Sequence, residues 1–242
     1  MSALLAIEGI SKRFRGLVAV DRVSFAVPQG AIFAVIGPNG AGKTTLFNMV
    51  AGVYRPDGGS ITFAGERIDG LPPDCVCRRG IGRTFQIVRP FPALTVEDNV
   101  VIGALLHRPQ TEVARAQAVE VLRRLDLYDK RAQRASSLTL PDRKRLEVAR
   151  ALATDPKMLL LDEVMAGLRP TETDRMVAIL RDLNRESGLT ILLIEHVMRA
   201  VMALASQILV LHHGAPIAKG APAEVVRNPA VIHSYLGAED VA

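Results

Sequence analysis

The sequence predicts an α/β fold in which helices flank a parallel sheet, and three observations lead to this fold class. A glycine-rich turn at 37–42 separates an apolar run from a helical pattern, and residues 1–36 carry further β-rich runs. Strand and helix patterns alternate from residue 157 to residue 211. With 242 residues, 49% of them hydrophobic, the chain can bury the core of one large domain, or of one domain with a sizeable insertion.

The N-terminal part shows β signals on both sides of the turn. Leu4–Ile10 alternates, Val18–Val27 is rich in β-branched residues, and Ala31–Ile36 is a short apolar run, so each predicts a strand. Leu46–Val50 predicts the body of a helix, and Ser60–Phe63 predicts another strand after a turn.

Residues 87–137 have a different character, because helical spacing replaces the β signals. Val100–Leu106 and Glu112–Leu125 each predict a helix. The apolar stripe assigned to the second of these helices consists of Val113, Val119, Val121, Leu122 and Leu125. We therefore expect a single domain whose catalytic core comprises 1–86 and 138–242, with 87–137 inserted as a helical subdomain.

The C-terminal part returns to alternation after a helix predicted over Asp142–Ala153. The elements that follow are a strand at Lys157–Leu161, a helix at Thr171–Glu186, a strand at Thr190–Ile194, a helix at His196–Ala205 and a strand at Gln207–Leu211. This order is typical of a parallel sheet whose strands are joined by helices.

Charge, cysteines and hydropathy limit the function classes. The formal net charge of +5 suits a nucleotide or a phospholipid surface, and it equally suits ordinary solubility. Cys75 and Cys77 lack the further ligands of a tetrahedral zinc site, so we expect free thiols in a reducing cytosol. The N-terminus has no basic leader, and no apolar run approaches the roughly 20 residues that span a bilayer. We expect the chain to lie at a membrane without crossing it.

The glycine-rich turn matches the phosphate-binding pattern G-x-x-x-x-G-K-[ST] in full. Its residues are Gly37, Pro38, Asn39, Gly40, Ala41, Gly42, Lys43 and Thr44. Glycines allow left-handed backbone and close approach, so that loop N–H groups and the following helix N-terminus face an anion. Lys43 adds a charge for the β- and γ-phosphates, and the Thr44 hydroxyl can ligate Mg²⁺. The alternative is a chance glycine-rich turn, which the flanking strand and helix patterns disfavour.

Two carboxylates follow the apolar strand pattern Met158–Leu161. Ligands of α/β sheets bind at the carboxyl ends of the strands, where Asp162 and Glu163 would lie. Asp162 would hold Mg²⁺, directly or through water, and Glu163 would act as general base toward the attacking water. The alternative is an acidic residue that only caps the next turn.

Two further polar residues follow β-type runs. His196 comes directly after Thr190–Ile194 and Glu195, and it could hydrogen-bond the γ-phosphate and orient the water. Gln86, in Thr84-Phe85-Gln86, could reach Mg²⁺ or the attacking water. An ordinary surface histidine and a surface amide are the alternatives.

Together these residues resemble the ATPase subunits of ABC transporters over nearly the whole chain. The phosphate loop, a glutamine loop at Gln86, the acidic strand Leu159–Glu163 and a histidine switch at His196 occur in the family's order and spacing. The resemblance implies a P-loop NTPase core with a mixed or largely parallel sheet, an N-terminal antiparallel β part and a helical subdomain. It also implies that ATP and Mg²⁺ are the cofactors, and that Phe14 stacks on adenine. Core packing is the alternative for Phe14.

The resemblance assigns roles to residues of this chain. The catalytic residues are Glu163, His196, Gln86 and Lys43; the nucleotide-binding residues are Phe14, Gly37, Pro38, Asn39, Gly40, Ala41, Gly42, Lys43, Thr44 and Thr45, with Thr139 acting on a partner's nucleotide; the metal ligands are Thr44, Gln86 and Asp162. The implied partners are transmembrane permease subunits, a second ATPase subunit and, indirectly, a periplasmic solute-binding protein, without nucleic acid. The implied location is the cytoplasmic face of the inner membrane, peripherally bound.

Three segments narrow the resemblance to the branched-chain amino acid uptake group, with related amide and urea importers. They are Arg83–Phe91, Ala149–Pro156 and the tail from Glu195 through Val231–Gly237. The apolar residues after Gln86 are expected to form part of a groove for a cytoplasmic helix of the permease, with loop packing as the alternative. These residues are Ile87, Val88, Pro90, Phe91, Pro92 and Leu94.

The sequence departs from the family where the signature Leu-Ser-Gly-Gly-Gln is expected. The aligned residues are Leu138, Thr139, Leu140, Pro141 and Asp142. Thr139 keeps a hydroxyl, Pro141 has no N–H, and Asp142 is expected to bring a negative charge toward the partner's phosphate. Thr139 and Asp142 also have the spacing of a capping box, so a helix should still start here. Val164 and Arg169 replace a proline and an aspartate that are usual in the family.

The altered signature leaves a second function hypothesis open. It is a nucleotide-gated interaction subunit with weak ATPase activity in an asymmetric heterodimer. The Asp162, Glu163 and His196 set disfavours that hypothesis. A soluble ABC ATPase for translation or DNA repair would need a tandem or coiled-coil chain. A small-molecule P-loop kinase would lack the segments of Gln86 and His196.

Overall fold

The computed structural model describes residues 3–86 and 89–236. The strands in this part are β1 (Ala3–Phe14), β2 (Leu17–Pro28), β3 (Ile32–Ile36), β4 (Gly58–Phe63), β5 (Glu66–Arg67), β6 (Ile81–Arg83), β7 (Met158–Asp162), β8 (Thr190–Ile194), β9 (Gln207–His212) and β10 (Ala215–Gly220). The helices are α1 (Lys43–Val50), α2 (Pro73–Arg78), α3 (Val96–Ala104), α4 (Thr111–Arg124), α5 (Leu140–Leu152), α6 (Pro170–Ser187), α7 (Met198–Leu204), α8 (Pro222–Val225) and α9 (Pro229–Leu236).

A six-stranded sheet in the order β10-β9-β3-β8-β7-β6 forms the centre of the molecule. All its neighbouring strands are parallel except β10, which runs antiparallel to β9. Strands β3, β7 and β8 are buried at every position, which explains their continuous apolar sequences. The expected α/β fold with a mixed, largely parallel sheet is confirmed. The parallel strands bring the segments after β3, β7 and β8 to one edge.

A second sheet is built from the N-terminal strands, in the order β2-β1-β4-β5 with antiparallel pairing. Its inner residues, such as Leu5, Ile7 and Ile61, share a core with Phe33 of β3 and Phe47 of α1. Helix α1 therefore packs between the two sheets, and the expected N-terminal antiparallel β part is confirmed.

Helices α3 and α4 lie in the segment expected to be helical, and α3 packs against both α4 and α5. The predicted stripe on α4 is partly wrong, because Val113 is 46% exposed. The buried face instead follows Ala114 and Ala118, continuing through Val121 and Leu122 at helical spacing. Small alanines allow close helix packing, and they contribute little to a hydrophobic pattern. The limits 87 and 137 of the helical subdomain stay a prediction.

Several short elements were not expected from the sequence, namely β5, α2, β6, β10, α8 and α9. Strand β6 spans three residues and contains Gly82, so its pattern is too short to detect. Helix α7 begins at Met198 rather than at His196, which leaves His196 in the segment after β8. Within 3–86 and 89–236, no helix combines the length and the apolar character that crossing a bilayer requires.

Candidate active site

The glycine-rich turn joins β3 to α1. At two of its positions only glycine fits the backbone conformation and the surrounding space. Gly37 and Gly42 have φ angles of +150° and +98°. A Cβ on Gly37 would lie 2.1 Å from the carbonyl oxygen of Leu211, and one on Gly42 would lie 2.3 Å from that of Ala19. Gly42 is the N-cap of α1 and makes no side-chain cap bond. The first N–H groups of α1 therefore remain available to an anion.

Lys43 supplies a positive charge within this turn. Its ammonium donates to the carbonyl oxygens of Gly37, at 2.7 Å, and Pro38, at 2.9 Å. Burial lowers the pKa of Lys43, while the nearby carboxylates of Glu163 and Asp162 oppose that change. The side chain is 8% exposed, so an anion that enters the turn meets a poorly hydrated cation.

A cavity of about 440 Å³ lies over the turn and brings most of the predicted nucleotide-binding residues together. Its lining comprises Phe14, Leu17, Val18, Ala19, Asn39, Gly40, Ala41, Gly42, Lys43, Thr44, Thr45, Gln86, Glu163 and His213. Phe14 is 39% exposed and packs edge-on against Tyr54 at 5.2 Å, so the core-packing alternative is disfavoured. His213 was not expected here, because it follows β9 on a left-handed residue that no sequence motif marks.

The two carboxylates after β7 have different surroundings. Asp162 is 2% exposed, and burial raises its pKa although the Arg83 guanidinium opposes this. Its Oδ2 lies 3.4 Å from Arg83 Nη2, and its Oδ1 is buried without a partner in the described part of the chain. Glu163 accepts a 2.8 Å hydrogen bond from Gln86 Nε2, and its Oε1 lies 3.9 Å from His196 Nδ1. The structure thus places Gln86, Glu163 and His196 beside one another.

Arg83 is a site residue that the sequence did not reveal. Its Nη1 donates to Asn48 Oδ1 of α1 at 2.7 Å, and its guanidinium lies 5.4 Å from the ring centroid of Phe85. With the contact to Asp162, one side chain joins α1, β7 and the segment before Gln86. An arginine at the end of a three-residue strand gives no sequence signal of such a role.

The altered signature segment differs from the expectation in two ways. Thr139 is the N-cap of α5, but its side chain makes no hydrogen bond to the backbone of the helix, so the capping box is wrong. The Thr139 hydroxyl instead donates to Asp142 Oδ2 at 2.8 Å. Asp142 does not face outward, because it is 3% exposed and pairs with Lys130 and Arg145. Burial alone would raise the pKa of Asp142, but hydrogen bonds from Lys130, Thr139 and Arg145 together hold it below its ordinary value.

The predicted start of α5 is nevertheless correct, since the helix begins at Leu140 with Pro141 in its first turn. Leu140 is 46% exposed and packs near Gly167. Of the two smaller departures, Val164 is buried, and Arg169 is the N-cap of α6, where its N–H donates to Glu172 Oε2 at 2.8 Å.

Comparisons with known proteins place these features in a family. The family model described as "ABC transporter" matches residues 20–166, and the model described as "Branched-chain amino acid ATP-binding cassette transporter" matches residues 215–241. The "High-affinity branched-chain amino acid transport ATP-binding protein LivG" of Salmonella typhimurium is 41% identical over 97% of this chain and 98% of its own length. The chain is an ABC transporter ATPase.

Two further relatives agree with this membership. The corresponding protein BraF of Pseudomonas aeruginosa is 39% identical to this ABC ATPase over 97% of the chain and 98% of its own length. The crystal structure of the ADP conformation of MJ1267, "an ATP-binding cassette of an ABC transporter", is 30% identical with a TM-score of 0.89. The match covers 98% of this chain and 100% of the MJ1267 chain. The fold class and the ATPase activity expected from the sequence are confirmed.

The donor atoms of this ABC ATPase fit a magnesium ion. Mg²⁺ prefers oxygen ligands, and Thr44, Gln86 and Asp162 line one cavity of about 450 Å³ together with Arg83. The Asp162 Oδ1 atom is buried and lacks a partner, which is the state expected of a ligand atom before it meets its cation.

Proposed function

We propose that this ABC ATPase binds ATP with Mg²⁺ and hydrolyses it to drive an importer of branched-chain amino acids or similar small amides. The observation that carries this proposal is that residues from distant parts of the sequence lie around one cavity. The carboxylate of Glu163, held at 2.8 Å by Gln86, lines the same cavity as the phosphate loop. The names of LivG and BraF support the cargo, as does the C-terminal match at 215–241.

ATP would lie along the cavity over α1, with adenine against Phe14 and the phosphates on the turn. The residues that would hold it are Phe14, Gly37, Pro38, Asn39, Gly40, Ala41, Gly42, Lys43, Thr44 and Thr45. The loop N–H groups and the dipole of α1 stabilise the phosphate charge, and the Lys43 ammonium would exchange its bonds to Gly37 and Pro38 for bonds to the phosphates.

Hydrolysis would depend on the group of side chains around Glu163. Its carboxylate accepts a proton from the attacking water as general base, and His196 and Gln86 orient that water and the γ-phosphate. Thr44, Gln86 and Asp162 would hold Mg²⁺, which supplies charge neutralisation at the phosphate oxygens. Arg83 would fix the orientation of the Asp162 carboxylate through Oδ2 and leave Oδ1 for the ion.

A groove of about 340 Å³ on the surface would receive a cytoplasmic helix of the permease. Apolar side chains of both the core and α3 line it, including Val53, Val76, Phe85 and Ile102. Arg150 belongs to the lining as well, and the Phe91 ring lies 5.1 Å from its guanidinium.

The assignment of the apolar residues after Gln86 to the permease groove stays a prediction, and the described ones differ in how they lie relative to this groove. Phe91 contacts the lining residue Arg150, whereas Pro90, Phe91, Pro92 and Leu94 are not themselves among the lining residues. The carbonyl of Leu94 instead accepts a hydrogen bond from Ala135 N–H, which ties this segment to the helical side. Ile87 and Val88 lie outside the described residues.

The second candidate function, a subunit with weak activity in an asymmetric pair, rests on the segment Leu138–Asp142. Pro141 offers no N–H to a partner's nucleotide, and the Thr139 hydroxyl and the Asp142 carboxylate are bonded to each other. We infer that this ABC ATPase pairs with a second, different ATPase subunit. The pair would lie at the cytoplasmic face of the cell membrane, bound to the permease, and a periplasmic binding protein would deliver solute to the permease from the opposite side.

Reconstitution in proteoliposomes tests this function. The chain is combined with branched-chain amino acid permease subunits, a second ATPase and a solute-binding protein from the same organism, and ATP hydrolysis is measured with and without leucine. Leucine should stimulate hydrolysis, whereas sulfate should not. Stimulation by another solute class alone would overturn the cargo, and the absence of any hydrolysis would overturn the ATPase role.

A further inference from the structure

The backbone of Glu163 has a conformation that needs support from its surroundings. Its φ angle is +50°, in the left-handed region, which costs a non-glycine residue roughly 1–2 kcal/mol. The turn that follows is closed by a 3.2 Å hydrogen bond from Ala166 N–H to the Glu163 carbonyl, and Glu163 N–H donates to Ile194 O at 3.0 Å. Two side chains add bonds to this turn, one to the Glu163 carbonyl, which can accept a second hydrogen bond, and one to the Met165 N–H.

Lys144 reaches the turn from one side. It lies on α5, it is 5% exposed, and its Nζ donates to the carbonyl oxygen of Glu163 at 2.9 Å. The same ammonium lies 3.5 Å from the carbonyl oxygen of Gln86. Burial lowers the pKa of Lys144, while carboxylates led by Glu195 oppose that change. One cation of α5 thus contacts the backbones of two residues assigned to catalysis.

Glu195 also contacts the turn. It ends the buried run of β8 just before His196, and it is 1% exposed. Its Oε1 accepts a 2.9 Å hydrogen bond from Met165 N–H, and its Oε2 is buried without a partner among the described residues. Burial raises the pKa of Glu195 to about 7. A buried acid is costly, so its place under the turn calls for a function.

We propose that Lys144 and Glu195 are positioning residues that hold the backbone of 163–165 so that the Glu163 carboxylate faces Gln86 and His196. The inference rests on the proposed role of Glu163 as general base. Because Lys144 belongs to α5, movement of α5 away from β7 removes the 2.9 Å bond to the Glu163 carbonyl and leaves only the longer bond from Ala166 N–H. A buried carbonyl that loses its charged donor favours relaxation of the left-handed turn, which moves the carboxylate out of line. The docked position of α5 is then a condition for hydrolysis.

A kinetic cycle tests whether Lys144 acts through Glu163. Single-turnover hydrolysis of radiolabelled ATP is measured for the full chain with its partner ATPase subunit, using wild type, K144M, E163Q and the double variant. K144M should slow the wild-type rate at least tenfold and leave the ATP dissociation constant unchanged. In the E163Q background the same change should have little further effect, because the base is already absent. K219M, which changes an exposed lysine of β10, serves as the control with a normal rate.

Hydrogen exchange tests the contact of Glu195 without relying on activity. In the nucleotide-free wild type, the amides of 163–166 should exchange at least 100-fold more slowly than in an unstructured peptide. E195A should remove this protection from the Met165 amide. E195Q should retain it, because the amide oxygen still accepts the bond.

The outcomes separate the inference from the function on which it rests. Equal slowing by K144M in both backgrounds, or fast exchange at 163–166 in the wild type, would overturn the positioning role. If E163Q hydrolyses ATP as fast as wild type, the base assignment itself fails. If E163Q is inactive and K144M is normal, the inference alone fails.

Discussion

Helix α1 begins with an open N-terminus, whereas the first turn of α5 is closed by the chain's own side chains. Gly42 caps α1 without a side-chain bond, no acidic residue lies in its first turn, and Lys43 adds a positive charge. In α5, Pro141 removes one N–H, and Asp142 places a buried carboxylate in the first turn. The positive end of the α5 dipole is thus already matched by an internal anion.

The difference shows how one chain can have one helix N-terminus that is open to an anion and another that is not. An open N-terminus with glycines suits a phosphate, since it offers N–H groups and no competing carboxylate. In the closed N-terminus, the Asp142 carboxylate is paired with Lys130 and Arg145, so its charge is balanced within the chain. We expect strong nucleotide binding at the chain's own loop and a poor contribution to the nucleotide of a partner.

The largest expected effect comes from removing the cation at the open end. K43A should weaken ATP binding about 1000-fold, since two to three charge-assisted hydrogen bonds to phosphate are lost at roughly 1.5–3 kcal/mol each. Isothermal titration calorimetry with Mg²⁺ measures this, with K219A as the control that retains affinity. Unchanged ATP affinity in K43A would contradict the assignment of the N-terminus of α1 as the phosphate site.

A second effect should appear in stability at the closed end. D142N leaves Lys130 and Arg145 without their buried anion, so the free energy of unfolding should fall by about 3 kcal/mol at neutral pH. The folded-state pKa of Asp142 lies below its ordinary value of 3.8, so its contribution is present above that pH and is lost as pH falls through the folded pKa. The difference between D142N and wild type should therefore stay constant from neutral pH down to about 4 and shrink below it.

Urea unfolding at several pH values measures this difference, and D129N, at an exposed acid, is the matched control. A difference that grows on acidification would contradict the assignment of Asp142 as a buried, paired carboxylate.

Opening the closed end should have a smaller effect on turnover. P141G restores an N–H in the first turn of α5, and one regained donor of this kind is worth about 1–2 kcal/mol, or about tenfold. ATP turnover of the chain alone should rise by up to that factor. P222G, at the corresponding part of α8, controls for the general effect of glycine. No increase in P141G would remove the missing N–H as a reason for asymmetry.

The smallest expected effect is on permease association, which should depend on the groove and not on the N-terminus of α1 or α5. I102E should weaken association with the permease about fivefold, because a charge enters an apolar lining, and should leave ATP binding unchanged. V113E is matched in chemistry and lies on the exposed surface of α4, so it should leave association intact. Pull-down with the permease in detergent measures both, and equal effects would contradict the assignment of the groove.

The sequence predicted the parts of this molecule that depend on local pattern. Continuous apolar runs identified β3, β7 and β8, and the phosphate loop was recognised because its glycines and Lys43 are adjacent in the chain. The carboxyl ends of β3, β7 and β8 then had to lie at one edge of the sheet, because these strands are parallel.

The parts that escaped prediction depend on contacts between distant residues. Asp142 was expected to face outward, since nothing near it in the chain shows that Lys130 and Arg145 would enclose it. Lys144 belongs to a charged stretch that resembles a solvated face, and Glu195 is a single acid after an apolar run, yet both are buried. A polar residue does not reveal its own burial, and only the packed fold brings its partner to it.

The most direct measurement of the central claim compares ATP binding and ATP turnover in E163Q, with E120Q on the exposed face of α4 as control. The account predicts an ATP dissociation constant close to that of wild type and a turnover reduced by about 100-fold or more, since the general base alone is removed. Turnover at the wild-type rate in E163Q would contradict the account.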